Sequence, residues 1–168
     1  MLQNELEECL IRCITDHQTN IYRLAYSYVR NTEDALDIVQ ESIHRALVSA
    51  ESLKNPDAIK NWLFRIVVNL SLDFLRKHKR IRIVDDETLE SYSSGTADDY
   101  PDLDLKRALE ELPMKYRSIV ILRYFEDMKI EEVAEVLQEN VNTIKTRLYQ
   151  ALRLLRIQLN DDSSEEVQ

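Results

Sequence analysis

Asn142, Thr143, Lys145, Thr146, Arg147, Tyr149 and Arg153 are the side chains in this sequence best suited to chemistry. They combine amide, hydroxyl, ammonium, guanidinium and phenol groups within a dozen residues. At about 100° per residue in a helix, Asn142, Thr146, Tyr149 and Arg153 share one face, and Lys145 and Arg147 flank it. Four basic residues and no acidic one lie between Asn142 and Arg156, although the chain as a whole is acidic. Such groups suit phosphate oxygens and base edges, the targets of a protein that reads duplex DNA. An ordinary amphipathic helix with a solvated basic face would show the same periodicity.

Two helices must position that face. Ile130, Val133, Ala134 and Leu137 fall at i, i+3, i+4 and i+7, and Val141, Ile144, Leu148, Ala151, Leu152 and Leu155 form a second apolar stripe. The break between them, Gln138-Glu139-Asn140, is too short for antiparallel helices. Asn140 is suited to cap the second helix, since its side-chain oxygen can accept from an unpaired backbone N–H. The pattern predicts a helix-turn-helix whose second helix is free to enter a major groove. Gln138 stands where a left-handed C-terminal glycine is usual, and a left-handed Gln138 would cost roughly 1 kcal/mol.

A second basic cluster lies upstream. Arg76, Lys77, Lys79, Arg80 and Arg82 close a helix whose apolar face is predicted as Ile59, Trp62, Leu63, Ile66, Val67, Leu70 and Phe74. Basic residues complement the negative end of a helix dipole, but five in seven positions exceed that need and suit phosphates. Phe64 lies off the predicted apolar face and is expected to be exposed as a stacking platform for single-stranded bases, with Asn69 offering an amide. Trp62 reads as core.

The rest of the chain is helical in pattern. There are 168 residues, one glycine and three prolines, a composition that disfavours sheets rich in tight turns. A first helix spans 3–15, and Asp16 is expected to cap the next, which carries Ile21, Leu24, Ala25 and Tyr28 on one face. Thr32 is expected to cap a third, with Leu36, Val39, Ile43, Ala46, Leu47 and Ala50 inward and Asp37, Gln40, Glu41, His44 and Arg45 outward. Pro56 and Asp57 open the fourth. From Asp85 to Asp104 there are eight acidic residues and no basic ones, which reads as a flexible linker. Helical pattern resumes with Leu105, Ala108, Leu109 and Leu112, stops at Pro113, and runs again from Met114 to Phe125. The predicted fold is all-α: a helical domain over 5–82, an acidic linker over 83–103, a helix-turn-helix domain over 104–160 and a frayed acidic tail over 161–168.

A net charge of −9 repels nucleic acid at long range, so DNA contact must come from local patches with a partner's help. Cys9 and Cys13, at i, i+4, read as small core residues of a reducing compartment, with no second Cys or His pair to complete a zinc site. No metal or other cofactor is expected. Neither a Gly-rich phosphate loop nor a nucleophilic Ser/His/Asp spacing is present, so catalysis has no support. No signal peptide or long apolar run suggests a membrane, and the cytoplasm is the expected location.

Three stretches, DALDIVQESIHRAL (34–47), IKNWLFRIVVNLSLDFLRKHKR (59–80) and LEELPMKYRSIVILRYFEDMKIEEVAEVLQENVNTIKTRLYQALRLLR (109–156), resemble in order and spacing the bacterial RNA polymerase sigma factors of the extracytoplasmic-function group. The resemblance implies a subunit that binds core polymerase at the clamp coiled coil of its largest subunit and at its flap, and carries it to promoter DNA. It implies that Asp34, Asp37, Gln40 and Glu41 meet the polymerase. Asn69 would border a pocket for a flipped base of the −10 element, and Arg76 and Lys77 would hold backbone. Lys145, Thr146, Arg147 and Tyr149 would read the −35 element, while Gln150 stands where an arginine is common. An anti-sigma factor, soluble or membrane-bound, would occlude these surfaces. The other reading is a free-standing helix-turn-helix regulator, for which the 34–47 face and the second basic helix have no task.

Overall fold

His17 alone separates the first two helices, α1 (Gln3–Asp16) and α2 (Gln18–Val29). Asp16 therefore ends α1 and does not cap α2; His17 holds the N-cap position without a side-chain cap bond. Its backbone N–H donates to the Cys13 carbonyl and its own carbonyl accepts from Ile21, so the chain bends there with little loss of backbone pairing. Its ring Nδ1 also lies 2.9 Å from the Cys13 carbonyl oxygen, which can only accept, so Nδ1 carries the proton. α2 stops at Arg30, which is left-handed (φ 55°). Asn31, and not Thr32, caps α3 (Thr32–Val48): its side-chain oxygen accepts from the Asp34 N–H at 3.0 Å. Asn55 accepts from the Asp57 N–H, and Pro56 sits in the first turn of a short 3₁₀ segment that leads into α4 (Ile59–Val84).

The computed structural model describes residues 3–84 and 103–165, with side chains over 3–78 and 105–160. Most of the predicted linker, from 85 to 102, and the last three residues of the predicted tail lie outside the described residues. The described elements are helical throughout and form two compact units, one in each half of the chain except that Glu135–Leu137 group with the first.

In the first unit α2, α3 and α4 pack on one another, and α1 lies against α3 and α4. Leu10, Ile21, Leu24, Leu63, Phe64 and Val67 are fully enclosed. The buried arcs of α3 and α4 are not the predicted ones. α3 buries Ala35, Ile38, Val39, Ser42 and Ala46, while Leu36 and Leu47 stay 48% and 43% exposed. α4 buries Ile59, Leu63, Phe64, Val67, Val68, Leu70 and Ser71, and leaves Trp62, Ile66 and Phe74 half-buried. Each arc is turned by roughly 75° from the large apolar stripe, at about 100° per residue. Small residues explain the turn. Ala35, Ser42 and Ser71 allow helix axes to approach closely, and Ser71 satisfies its hydroxyl by donating to the Val67 carbonyl at 2.7 Å.

The second unit contains α5 (Leu103–Glu111), α6 (Met114–Val120), the first part of α7 (Ile130–Leu137), through Ala134, and α8 (Val141–Glu165). Its core joins Ala108 and Leu112 of α5, Val120 of α6, and Ala151 and Leu155 of α8, with Leu109, Tyr116 and Leu159 packed around them. Pro113 breaks the chain between α5 and α6. Arg117, buried in α6, ties the break together by donating from Nη1 to the carbonyls of Glu110 (3.1 Å) and Leu112 (3.2 Å). α6 continues into a single wide turn over Ile121–Phe125 of π type, where the Glu126 N–H reaches back to the Ile121 carbonyl. α8 persists to Glu165, beyond the predicted fraying point at Asp161.

Candidate nucleic-acid interface

The turn before α8 has the expected residues in the expected roles. Gln138 is left-handed (φ 55°), and the Glu139 N–H donates to the Ala134 carbonyl, closing α7 in a Schellman turn without glycine. Asn140 then caps α8, its side-chain oxygen accepting from the Asn142 N–H at 2.8 Å. Ile144, Leu148, Ala151 and Leu155 anchor α8 in its unit. The opposite face is open: Asn142, Lys145, Thr146, Tyr149 and Arg153 are exposed, Tyr149 to 73%. Thr143 and Arg147 are half-buried at its edge.

Local bonds set what these groups can offer. The Thr146 hydroxyl donates to the Asn142 carbonyl at 3.0 Å, so toward a ligand it presents lone pairs and its methyl. Arg147 lies 3.3 Å from the Glu139 carboxylate, an ion pair across the turn. Asn142, Thr143, Thr146 and Arg147 line an open groove of about 370 Å³ whose far wall is Lys115 and Tyr116 of α6, with Gln150 at its end. The Lys115 ammonium sits 4.9 Å from the Tyr116 ring centroid. The Tyr116 hydroxyl donates to Gln150 Oε1 at 2.8 Å. Lys115, Tyr116 and Gln150 were not among the predicted site residues. Lys115 and Tyr116 lie far from α8 in sequence, and only the packing of α6 on α8 brings them to it.

On α4 the expectation for Phe64 is overturned. Phe64 is fully buried, edge-on to the His17 ring at 6.1 Å, with the Lys60 amine 5.9 Å from its centroid. It belongs to the buried arc that the Ser71 and Val67 side of α4 defines, so no base can stack on it. Asn69 is exposed on the opposite side, in line with half-buried Trp62 and Arg65 and with exposed Arg76. Arg76 pairs with Asp73 at 3.2 Å, both largely exposed. Lys77 is exposed. Lys79 and Arg80 continue the helix, and their side chains lie outside the described ones.

On α3 Asp37, Gln40, Glu41 and His44 are exposed and Asp34 is half-buried. Glu41 pairs with Arg45 at 3.1 Å. Exposed Leu36 and Leu47 adjoin this polar face, which is therefore mixed in character. Cys9 and Cys13 are free thiols and half-buried, and burial pushes the Cys13 thiol pKa up, against a smaller opposing effect of Lys60. Among the described residues no three His, Cys, Asp or Glu side chains converge as a metal site would require, and no helix is long and apolar enough to cross a membrane.

Comparison with known proteins identifies the family. Residues 13–81 match the family model of Sigma-70 region 2, and residues 102–155 that of Sigma-70, region 4. The chain is 58% identical to the RNA polymerase sigma factor SigV of Bacillus subtilis, over 91% of this chain and 92% of that one. It is 34% identical to the ECF RNA polymerase sigma factor SigW of the same organism, over 86% of each. Its fold is similar to that of the sigma factor RpoE solved in complex with the anti-sigma factor NepR from Bartonella quintana, with a TM-score of 0.73, 24% identity, and coverage of 94% of this chain and 96% of that one. By these relationships the chain belongs to the RNA polymerase sigma factors of the extracytoplasmic-function group.

Proposed function

We propose that three exposed surfaces divide the work of promoter recognition. A sigma factor binds core RNA polymerase and directs promoter-specific initiation, and a free-standing regulator is not favoured. In our reading Asp34, Asp37, Gln40 and Glu41 of α3 dock on the clamp coiled coil of the polymerase largest subunit, with Leu36 and Leu47 adding apolar contact. The second unit is held near the flap. Asn69 hydrogen-bonds a base extruded from the −10 element, an extrusion that costs a few kcal/mol and must be offset by such contacts. Arg76, Lys77, Lys79 and Arg80 hold the adjoining phosphates. Asn142, Thr143, Lys145, Thr146, Arg147, Tyr149 and Arg153 address the −35 duplex. The observation that carries the reading is the open face of α8, polar and basic on a helix whose other side is fixed in a core. We assign the chain no catalytic step, and its site of action is the cytoplasm, where polymerase and DNA meet.

We also propose an anti-sigma partner that covers these faces, supported by the similarity to a sigma factor solved in such a complex. The test is reconstitution with core polymerase and run-off transcription. Asp37→Arg with Glu41→Arg should reduce core binding at unchanged helicity. Asn69→Ala should bind core and promoter yet open the −10 region slowly, read by permanganate footprinting. Normal core affinity in the first variant, or an unchanged bubble in the second, would remove the corresponding assignment.

A further inference from the structure

We propose that Tyr116 is a positioning residue that fixes the amide of Gln150 with its donor end outward, so that α8 selects an acceptor-only base edge at one position of its duplex. This rests on the reading of α8 as the −35 helix.

Gln150 is exposed and lies one turn beyond Thr146, on the side of α8 that faces the groove. An unconstrained glutamine can offer its oxygen and its NH₂ together. That pairing suits adenine, which presents a donor at N6 and an acceptor at N7. Here the oxygen is engaged. The Tyr116 hydroxyl donates to Gln150 Oε1 at 2.8 Å, a bond spanning 34 residues of sequence. The ring of Tyr116 is itself held, half-buried against the core of Ala108, Leu112, Val120, Ala151 and Leu155. The hydroxyl is thus a fixed post at the rim of α8, and it draws Oε1 toward α6. Nε2 is left to face away from α6 with two N–H donors. Lys115, beside the same ring, adds positive charge on that wall. A donor pair on this rim fits guanine, with O6 and N7, or thymine, with O4, and disfavours adenine, whose N6 donor would meet a donor.

The experiment uses holoenzyme assembled from core RNA polymerase and the full-length chain. It selects duplex promoters whose −35 region is randomised, and the selected pools are sequenced. Four single variants are compared: Gln150→Ala, Tyr116→Phe, Thr146→Ala and Tyr149→Ala, together with the double Tyr116→Phe, Gln150→Ala. In the unaltered protein one position is enriched in guanine or thymine, and which of the two is enriched identifies the acceptor as O6/N7 or O4. Gln150→Ala flattens that position alone, by about fivefold or more. Tyr116→Phe keeps the ring and its packing but releases Oε1, and the same position moves toward adenine. The double variant matches Gln150→Ala. Equal weakening on every sequence in Gln150→Ala would mean a phosphate contact and overturn the proposal. Unchanged preference in Tyr116→Phe, or a uniform loss with lowered thermal stability, would reduce Tyr116 to a packing residue. If Thr146 or Tyr149 variants alter base preference while Gln150 variants do not, this inference falls and the reading of α8 stands. If none of the variants alters any position, both fall.

Discussion

Glu139 is the residue through which stability and DNA affinity should move in opposite directions. Its carboxylate lies 3.3 Å from Arg147 Nη1, with the two side chains 40% and 32% exposed. It also sits just before the N-cap of α8, where negative charge favours the helix dipole. Glu139→Gln keeps the shape and removes the charge. A partly exposed ion pair contributes about 0.2–1 kcal/mol, and the dipole interaction about 0.3–1 kcal/mol more. The variant should therefore lose on the order of 1 kcal/mol in the second unit, read as a lower urea midpoint at unchanged slope. On DNA the change has the other sign. A carboxylate about 8 Å from a phosphate repels it by roughly 0.5 kcal/mol in water before salt screening. The freed guanidinium can neutralise one further phosphate, which steepens the fall of log K with log salt by about 0.9. Filter binding of holoenzyme to promoter DNA should show tighter binding by the variant at 50 mM salt, and the advantage should shrink by about 3.5-fold at 200 mM. An unchanged salt slope would refute the idea that Glu139 withholds Arg147 from DNA. A loss of affinity at low salt would mean instead that the carboxylate orients Arg147 for contact.

Phe64→Ala should cost about 3–5 kcal/mol, since a fully enclosed ring is removed, and chemical denaturation of the first unit measures it; a near-neutral variant would contradict the burial. Gln138→Gly should raise the stability of the second unit by about 0.5–1 kcal/mol, because φ 55° carries no Cβ penalty in glycine. An Asn142→Ala or Tyr149→Ala change should leave the same denaturation curve nearly in place, as both side chains are exposed. In a Cys9→Ser background Cys13 should alkylate more slowly at neutral pH than in the unfolded chain, and its rate should keep rising above the pH where an unfolded thiol levels off, since burial holds it protonated.

What the sequence disclosed was chiefly local. The two caps around the tight turn depend on residues adjacent to the bonds they make, so Asn140 and left-handed Gln138 could be read directly. The same holds for Pro113 and for the stripe of α8. Neighbouring candidates for one cap were harder to separate: Asn31 holds the place expected of Thr32, and His17 that expected of Asp16. The faces of α3 and α4 were misread because periodicity weighs large apolar side chains. Serine and alanine fix those faces, and Ser42 and Ser71 carry no hydrophobic signal although both are fully buried. Phe64 followed from that error. Lys115, Tyr116 and Gln150 were illegible for another reason: their relation exists only once α6 lies on α8.

The wide turn at Ile121–Phe125 has a consequence for how this chain can vary in length. A π turn amounts to one residue inserted into an α-helix. Deleting a residue there would tighten the turn to regular winding and shift the point at which the chain leaves it for the Glu126–Lys129 loop and α7. Tyr116 precedes the turn and Gln150 follows it. The length of chain that brings α8 back to α6 is thus set by a count of residues as well as by their kinds. Substitutions within Ile121–Phe125 that keep its volume should be tolerated more readily than any gain or loss of a single position, so homologues that diverge freely in residue type here should still agree in length.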